Sequence, residues 1–431
     1  TGDGHGHVAD ALRRGAAGAL VHRKPDDVDD DAPLLQVADT LEGLNGLARF
    51  SRERFAGRMV AVTGSVGKTT TKEMLRAALA VFGPTFAAEA SHNNQWGVPL
   101  TLARLPPDVA FCVVEIGMNH PGEIAPLSRL AQPEVAAITA IAPAHIGHMG
   151  SIEAIALEKL SIAEGLGRRP PHPGPLPHPG GEGWVRGIAD DAPVAGVLVL
   201  PSEGPILAMW NKSALSFGRA ASDAVQLLQT DSTATTNRVE IRVGRQHVGF
   251  TLHAPGPHMA DNAACALAVI AALRLDPVRA AAALDGFAPL AGRGIRRTLH
   301  LKAGDAILLD ESYNASSAAV RAALHVLGLQ DALRRIAVLG DMLELGHHGK
   351  AEHASLAPDV AANADLLFTC GDLMRVLHDA VPPAIRGMHA DDSADLAPIV
   401  ASAVRAGDAV LVKGSLGSRM HRVVRALETA V

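Results

Sequence analysis

Cysteine, aromatic residues, surplus charge of either sign and long apolar runs are all in short supply here. The three cysteines, Cys112, Cys265 and Cys370, are scattered and form no C-x-x-C, which excludes a disulfide frame and a zinc ribbon and leaves reduced core residues. Lys and Arg number 39 against 45 Asp and Glu, a net charge of -6, so no basic field exists for a nucleic-acid backbone. No run approaches the ~18 apolar residues of a membrane span, and no signal peptide is visible. A soluble, cytoplasmic, monomeric protein is expected. The chain opens on Thr1 without a methionine, so its true N-terminus is expected to lie outside this sequence. Aromatics make up only 3% while Ala and Gly abound, a bias that high-GC codon usage accounts for and to which no function is attached.

What is present is 431 residues at 48% hydrophobic content, more than one core organises, and three domains are expected. Residues 1–55 read as a helix from Val8, a strand in Ala16 to Val21, an acidic loop at 26–31 and a strand at Leu34 to Val37. That is too little for a comfortable core, and a partial N-terminal α/β domain is the reading. Residues 56–290 form a central domain whose near-continuous apolar runs, Val60 onward, Val109 to Ile116 and Val135 to Ile141, predict a mostly parallel sheet. A proline-rich insert at 168–187 interrupts it, since proline removes donors and fixes φ. His172 and His178 lie in that tract without a scaffold and read as bland surface residues. Sheet-like runs at 194–200 and 238–252 and an alanine-rich helix from Ala263 to Leu273 close the domain. Residues 291–431 start a Rossmann-like third domain with strands at 306–310, 336–339, 364–370 and 409–413. No G-x-G-x-x-G follows its first strand, so no dinucleotide cofactor is indicated.

The densest chemistry is Val60 to Leu75, where a buried strand meets Thr63-Gly64-Ser65-Val66-Gly67-Lys68-Thr69-Thr70 and then a helix. Backbone N–H groups of 64–70, the Lys68 ammonium and the Thr69 hydroxyl suit a nucleoside triphosphate with magnesium. Glu115 closes another strand and reads either as a magnesium ligand or as a cap or ion pair. His145 follows a third strand end, either a ligand or a structural histidine. Lys159 sits further on, where spacing alone gives it no role. The loop His92 to Thr101, with Asn93 and Asn94, suits a polar substrate and turn capping equally. Arg293 stands at the junction of domains two and three, where a guanidinium could reach a phosphate. Polar strand ends at Asp310-Glu311-Ser312-Tyr313-Asn314-Ala315, Gly340 to Gly346, and Lys413-Gly414-Ser415 predict a second site face across a cleft.

Together these motifs resemble the Mur ligases. The residues that carry the likeness are T-G-S-V-G-K-T-T-T-K at 63–72, N-N-Q-W-G-V-P-L-T at 93–101, E-I-G-M-N-H-P-G-E-I at 115–124, A-H-I-G-H-M-G-S-I-E at 144–153, D-E-S-Y-N-A at 310–315, L-G-D-M-L-E-L-G at 339–346 and K-G-S at 413–415. D-E-S-Y-N-A with G-D-M-L-E-L-G points to the members that join D-alanyl-D-alanine to a UDP-N-acetylmuramoyl tripeptide. The resemblance implies a three-domain architecture, with a uridine-nucleotide domain, a P-loop ATPase domain and a Rossmann-like ligase domain, and an ATP- and Mg2+-dependent amide-forming reaction through an acyl phosphate. It also implies roles. Gly64, Ser65, Val66, Gly67, Lys68, Thr69 and Thr70 hold phosphates, Asn262 addresses adenine, Arg293 the γ-phosphate, and Asp310 or Glu311 the ribose. Thr69 and Glu115 bind one magnesium, and His145 a second beside a carbamylated Lys159. Lys68, Lys159, His145 and Arg293 form the catalytic set. Asn93, Asn94, Ser312, Tyr313, Asn314, Lys413 and Ser415 face the substrates. The chain departs from the family pattern in Ser316-Ser317, where Asn-Pro is usual, and in the proline-rich insert. The rival readings are a folylpolyglutamate-synthase-like or other amino-acid-adding ligase, and a nucleotide-binding paralogue without catalysis.

Overall fold

Buried runs of Val, Ile, Leu and Ala fold as strands throughout the computed structural model, which describes residues 3–88, 91–167, 196–290 and 292–429. The first part is small. Helix α1 (Val8–Arg13) and two parallel strands, β1 (Ala19–Val21) and β2 (Leu34–Gln36), enclose a cluster of Val8, Val21 and Val28. A helix that the sequence reading did not anticipate follows, α2 (Thr40–Arg54), capped by the Asp39 carboxylate, which accepts from Leu41 and Glu42 N–H. Helix α2 touches β1 through Gly43 against Leu20 and also lies against the second sheet's helices: Arg52 donates to the carbonyls of Ala131 at 2.6 Å and Gln132 at 2.9 Å.

The second sheet has nine strands. They are β3 (Arg58–Thr63), β4 (Thr85–Ala87), β5 (Phe111–Glu115), β6 (Val135–Ile138), β7 (Val197–Pro201), β8 (Leu215–Gly218), β9 (Val225–Ser232), β10 (Asn237–Val243) and β11 (Gln246–Leu252), in the order β11-β10-β9-β8-β7-β6-β3-β5-β4. From β4 to β9 all neighbours are parallel, and β10 runs antiparallel to both of its neighbours, β9 and β11. The stretch 238–252 is thus a hairpin, turned at Gly244 with φ +58°. Both faces are covered. Val60 and Val62 face α3 (Lys68–Ala80) and the later helices, while Met59 and Ala61 face α2, α4 (Gly97–Ala103), α5 (Ile124–Ala131), the short α6 (Ile146–Met149), α7 (Ile152–Leu160) and α8 (Ile206–Met209). Helix α9 (Pro257–Ala272) starts on a proline, whose missing N–H costs nothing at that position, and packs with α10 (Pro277–Leu284) and α3. The proline-rich stretch 168–187, with His172 and His178, lies outside the described residues. The residues that flank it meet: a Cβ added to Gly196 would stand 2.8 Å from the Gly167 nitrogen and from the Leu166 side chain.

The third sheet contains β12 (Ile295–Leu301), β13 (Gly304–Glu311), β14 (Arg334–Gly340), β15 (Leu366–Cys370), β16 (Arg386–Ala390) and β17 (Asp408–Lys413), ordered β12-β13-β17-β14-β15-β16. Only β12 is antiparallel to its neighbour. Asp310 and Glu311 therefore close the second strand of this sheet and not its first, because the alternating Ile295 to Leu301 folds back on β13. Helix α11 (Ser317–Gly328) shows what the Ser316-Ser317 departure does: Ser316 caps the helix by accepting from Ala319 N–H at 3.4 Å, and the Ser317 hydroxyl donates to Glu352. Cys112, Cys265 and Cys370 are free and buried, and no helix among the described residues is long and apolar enough to cross a membrane.

Candidate active site

Strand β3 lies between β5 and β6, so the chain crosses over to opposite sides of it and leaves a crevice at its carboxyl end. The glycine loop occupies that crevice. Gly64 (φ +151°) is pressed against Thr139, whose hydroxyl any Cβ there would strike, and Gly67 (φ +84°) against Asn262 in the same way. Ser65 N–H donates to Ala140 at 2.8 Å, and its hydroxyl both donates to and accepts from the Ala142 backbone, at 2.9 and 3.0 Å. The loop is thereby braced before any ligand arrives. Lys68 folds over it, Nζ donating to the Gly64 carbonyl at 2.8 Å and the Ser65 carbonyl at 3.4 Å, and α3 begins with its amide N–H groups aimed into the loop. Asn262, on α9, accepts from Thr71 at 3.4 Å and walls the far side.

The register Val62 opposite Glu115 brings the β5 carboxylate beside the loop. Thr69 donates to Glu115 Oε2 at 2.8 Å and Asn93 Nδ2 to Oε1 at 2.7 Å; Thr69 and Glu115 are only 4% and 2% exposed. Two hard oxygen donors at hydrogen-bond distance beneath a phosphate loop fit magnesium by donor type. Asn94 does the other job foreseen for this loop, its side-chain oxygen capping α4 at Trp96 N–H (3.1 Å) and Gly97 N–H (2.9 Å). Lys159 is buried in the last turn of α7. Its ammonium is disfavoured first by burial and then by the neighbouring charge of Lys68, with Glu158 opposing, so its pKa lies well below the ordinary lysine value. Lys68 is also lowered by burial, with Glu115 opposing and Arg293 adding to the fall. His145, held at φ +58°, turns the other way: its Nδ1 pairs with the Glu344 carboxylate from the third sheet, and Gly147 N–H donates to the Glu344 carbonyl at 3.2 Å. No cluster of three His, Cys, Asp or Glu residues suited to a metal is found among the described residues. The structure brings Thr69, Glu115, Lys68 and Lys159 together and leaves His145 at the seam.

Across that seam stands Arg293. Its Nη2 donates to Ser91 at 2.6 Å, and its guanidinium stacks 4.5 Å from the Tyr313 ring centre. Register also pairs Glu311 with Lys413, and Lys413 Nζ donates to Glu311 Oε2 and to the Asn314 carbonyl, each at 3.0 Å. Asp310 accepts three hydrogen bonds: Oδ1 from Ser312 N–H (3.1 Å) and Oγ (2.7 Å), and Oδ2 from Arg297 (2.7 Å). Ser415 ties three loops: its hydroxyl accepts from Leu343 N–H at 3.0 Å and donates to the Ala315 carbonyl at 3.5 Å, while its own N–H donates to the Asp341 carbonyl at 3.1 Å. Sequence reasoning missed Ser91, Thr139 and Arg297. Thr139 had a signal, a hydroxyl one residue beyond an apolar strand beside the loop; Ser91 had none, because its partners lie 22 and 202 positions away.

Comparison with known proteins bears on this arrangement. Residues 62–170 match the Mur ligase middle domain and residues 296–416 the Mur ligase, glutamate ligase domain. UDP-N-acetylmuramoyl-tripeptide--D-alanyl-D-alanine ligase of Bacillus subtilis (strain 168) is 30% identical, over 99% of this chain and 88% of its own length. The protein of the same name from Escherichia coli (strain K12) is 31% identical, over 97% and 87%. Among solved structures, MurF from Acinetobacter baumannii superposes with a TM-score of 0.81 at 26% identity, covering 100% of this chain and 89% of that one. MurF ligase from Thermotoga maritima in complex with ADP gives 0.78 at 25% identity, covering 99% and 92%.

Proposed function

Because this chain belongs to the Mur ligase family, we propose that it joins D-alanyl-D-alanine to a UDP-N-acetylmuramoyl tripeptide at the expense of ATP, in the synthesis of the peptidoglycan precursor. The observation that carries this reading is the convergence of a braced phosphate loop and Glu115 from one sheet with Arg293 from the other. One chain supplies both halves, which favours a monomer. ATP as the nucleotide is supported by the ADP-bound relative, and the absence of a spanning helix among the described residues accords with work in the cytoplasm.

The tripeptide carboxylate attacks the γ-phosphorus, the bond to the β-phosphate oxygen breaks, and ADP leaves an acyl phosphate. The dipeptide amine then attacks the acyl carbon, loses its proton as the tetrahedral intermediate collapses, and inorganic phosphate departs. The protein's share is charge neutralisation and alignment. Lys68 and the 64–70 amides take the β- and γ-phosphates, Arg293 takes the γ-phosphate as its charge shifts, and Asn262 lines the adenine side. Either Asp310 or Glu311 meets the ribose; because Asp310 already holds Ser312 and Arg297, Glu311 is the freer of the two. Thr69 and Glu115 would hold magnesium, which when bound offsets phosphate charge. His145 keeps only Nε2 for a second ion, since Glu344 takes the Nδ1 side. A neutral Lys159 amine beside Lys68 is suited to add carbon dioxide and release a proton, giving a carbamate whose negative charge Lys68 would balance. Asn93, Asn94, Ser312, Tyr313, Asn314, Lys413 and Ser415 border the tripeptide and dipeptide. The division into 1–55, 56–290 and 291–431 remains our assignment, with α2 leaning on the central helices. Phosphate release from ATP that requires both the muramoyl tripeptide and D-alanyl-D-alanine is the expected result. Release with glutamate or diaminopimelate in place of the dipeptide would overturn it.

A further inference from the structure

One hydroxyl outside every motif ties the phosphate loop to the third sheet. Ser91 Oγ is 2.6 Å from Arg293 Nη2 and 3.3 Å from Thr69 Oγ1. Proton inventory sets the direction of these bonds. A guanidinium only donates, so Ser91 accepts from Arg293. Thr69 spends its proton on Glu115 Oε2 at 2.8 Å, so the Ser91 proton goes to the Thr69 oxygen. The chain runs from Arg293 through Ser91 and Thr69 to Glu115, each hydroxyl accepting once and donating once. Asn93 completes it, donating to the other Glu115 oxygen at 2.7 Å.

We propose that Ser91 is a positioning residue for the ATP-dependent step, its hydroxyl holding the Arg293 guanidinium at the place the γ-phosphate will take. The Tyr313 ring, 4.5 Å from the guanidinium carbon, sets the plane of the arginine, but the hydrogen bond that Arg293 Nη2 makes goes to Ser91 and not to the tyrosine hydroxyl. Ser91 fixes the reach, one hydroxyl's length from Thr69. A phosphate oxygen entering there meets a guanidinium already in place, so little side-chain freedom remains to be lost on binding. This rests on reading the loop as the ATP site.

The test is nucleotide binding by calorimetry, without tripeptide or dipeptide, using ADP and the β,γ-imido analogue of ATP. Ser91→Ala should weaken the analogue about tenfold, the fold-change expected from one hydrogen bond to a charged group, and ADP by less than about twofold, because ADP has no γ-phosphate. Ser91→Thr, which keeps the hydroxyl, should restore most of the loss. Arg293→Ala should weaken the analogue at least as much, and adding Ser91→Ala to it should cost nothing more. Equal losses for both nucleotides, or a double variant that loses the product of the two single effects, would overturn the proposal. Lys68→Ala separates the two levels: if it binds both nucleotides like the unaltered chain, the ATP site itself is misread.

Discussion

Replacing Lys159 with Met should make the protein more stable while abolishing ligation. The side chain is 2% exposed, and no described residue accepts a hydrogen bond from its ammonium. Glu158 is no counter-charge of convenience, because its two carboxylate oxygens accept from Gly122 N–H at 2.8 Å and Ile124 N–H at 2.9 Å. Burial and the Lys68 charge push the folded-state pKa down, whereas the unfolded chain keeps the ordinary lysine value of ~10.4. Between the two values the unfolded chain binds one more proton. Stability therefore rises with pH across that window, by about 1.4 kcal/mol per unit, and the rise ends at the unfolded value. Met fills the same volume and has no such term. At a pH of about 7.5 the variant should be more stable by about 1–3 kcal/mol, the cost of burying an unpartnered polar group. As pH rises from about 7.5 towards the unfolded value, the unaltered chain should regain stability against it. Urea denaturation followed by tryptophan fluorescence, in buffer stripped of carbon dioxide, measures the difference. Adding bicarbonate should stabilise the Lys159 form and leave the Met form unmoved. A less stable Met variant at pH 7.5, or a difference independent of pH, would refute the reasoning.

Other substitutions separate the parts of the site. Lys68→Ala should abolish phosphate release from ATP yet melt within a few degrees of the unaltered chain, since among the described residues Lys68 bonds only to carbonyls of its own loop. Gly67→Ala places a Cβ against Asn262 in a left-handed backbone, which should cost about 1–2 kcal/mol and remove the thermal shift that ATP otherwise produces. Lys413→Met strips Glu311 and the Asn314 carbonyl of their shared donor. It should raise KM for D-alanyl-D-alanine at least tenfold while nucleotide affinity, read by calorimetry, stays within about twofold.

Strand ends were the legible part of the sequence. An apolar run closed by a polar residue can be read locally: Glu115 and Lys413 end their strands, and the glycine loop that leads to Lys68 follows directly on β3. Helix α2 escaped because its buried face includes a charged residue, Arg52, whose partners are backbone carbonyls of another helix's end, and because Gly43 and Gly46 lower its helical signal. Strand β12 did carry period-two alternation, but Arg296, Arg297 and His300 made an exposed edge look like a junction loop. The role of Lys159 could not be read at all from spacing. Only burial and the approach of Lys68 distinguish it from a solvated helix lysine, and both arise from tertiary packing. The pairing of His145 with Glu344 likewise depends on how the third sheet meets the second.

The meeting of Gly167 and Gly196 makes this point of the fold tolerant of length. Gly167 and Gly196, which flank residues 168–195, stand at nearly one spot, and β7 starts at once, Val197 N–H donating to the Glu134 carbonyl at 2.9 Å. Closure entropy grows only as the logarithm of loop length, so each doubling there costs about 0.6 kcal/mol. Excision with a direct Gly167 to Gly196 join, or grafting of a tag or a whole domain, should leave β6, β7 and the phosphate loop in register.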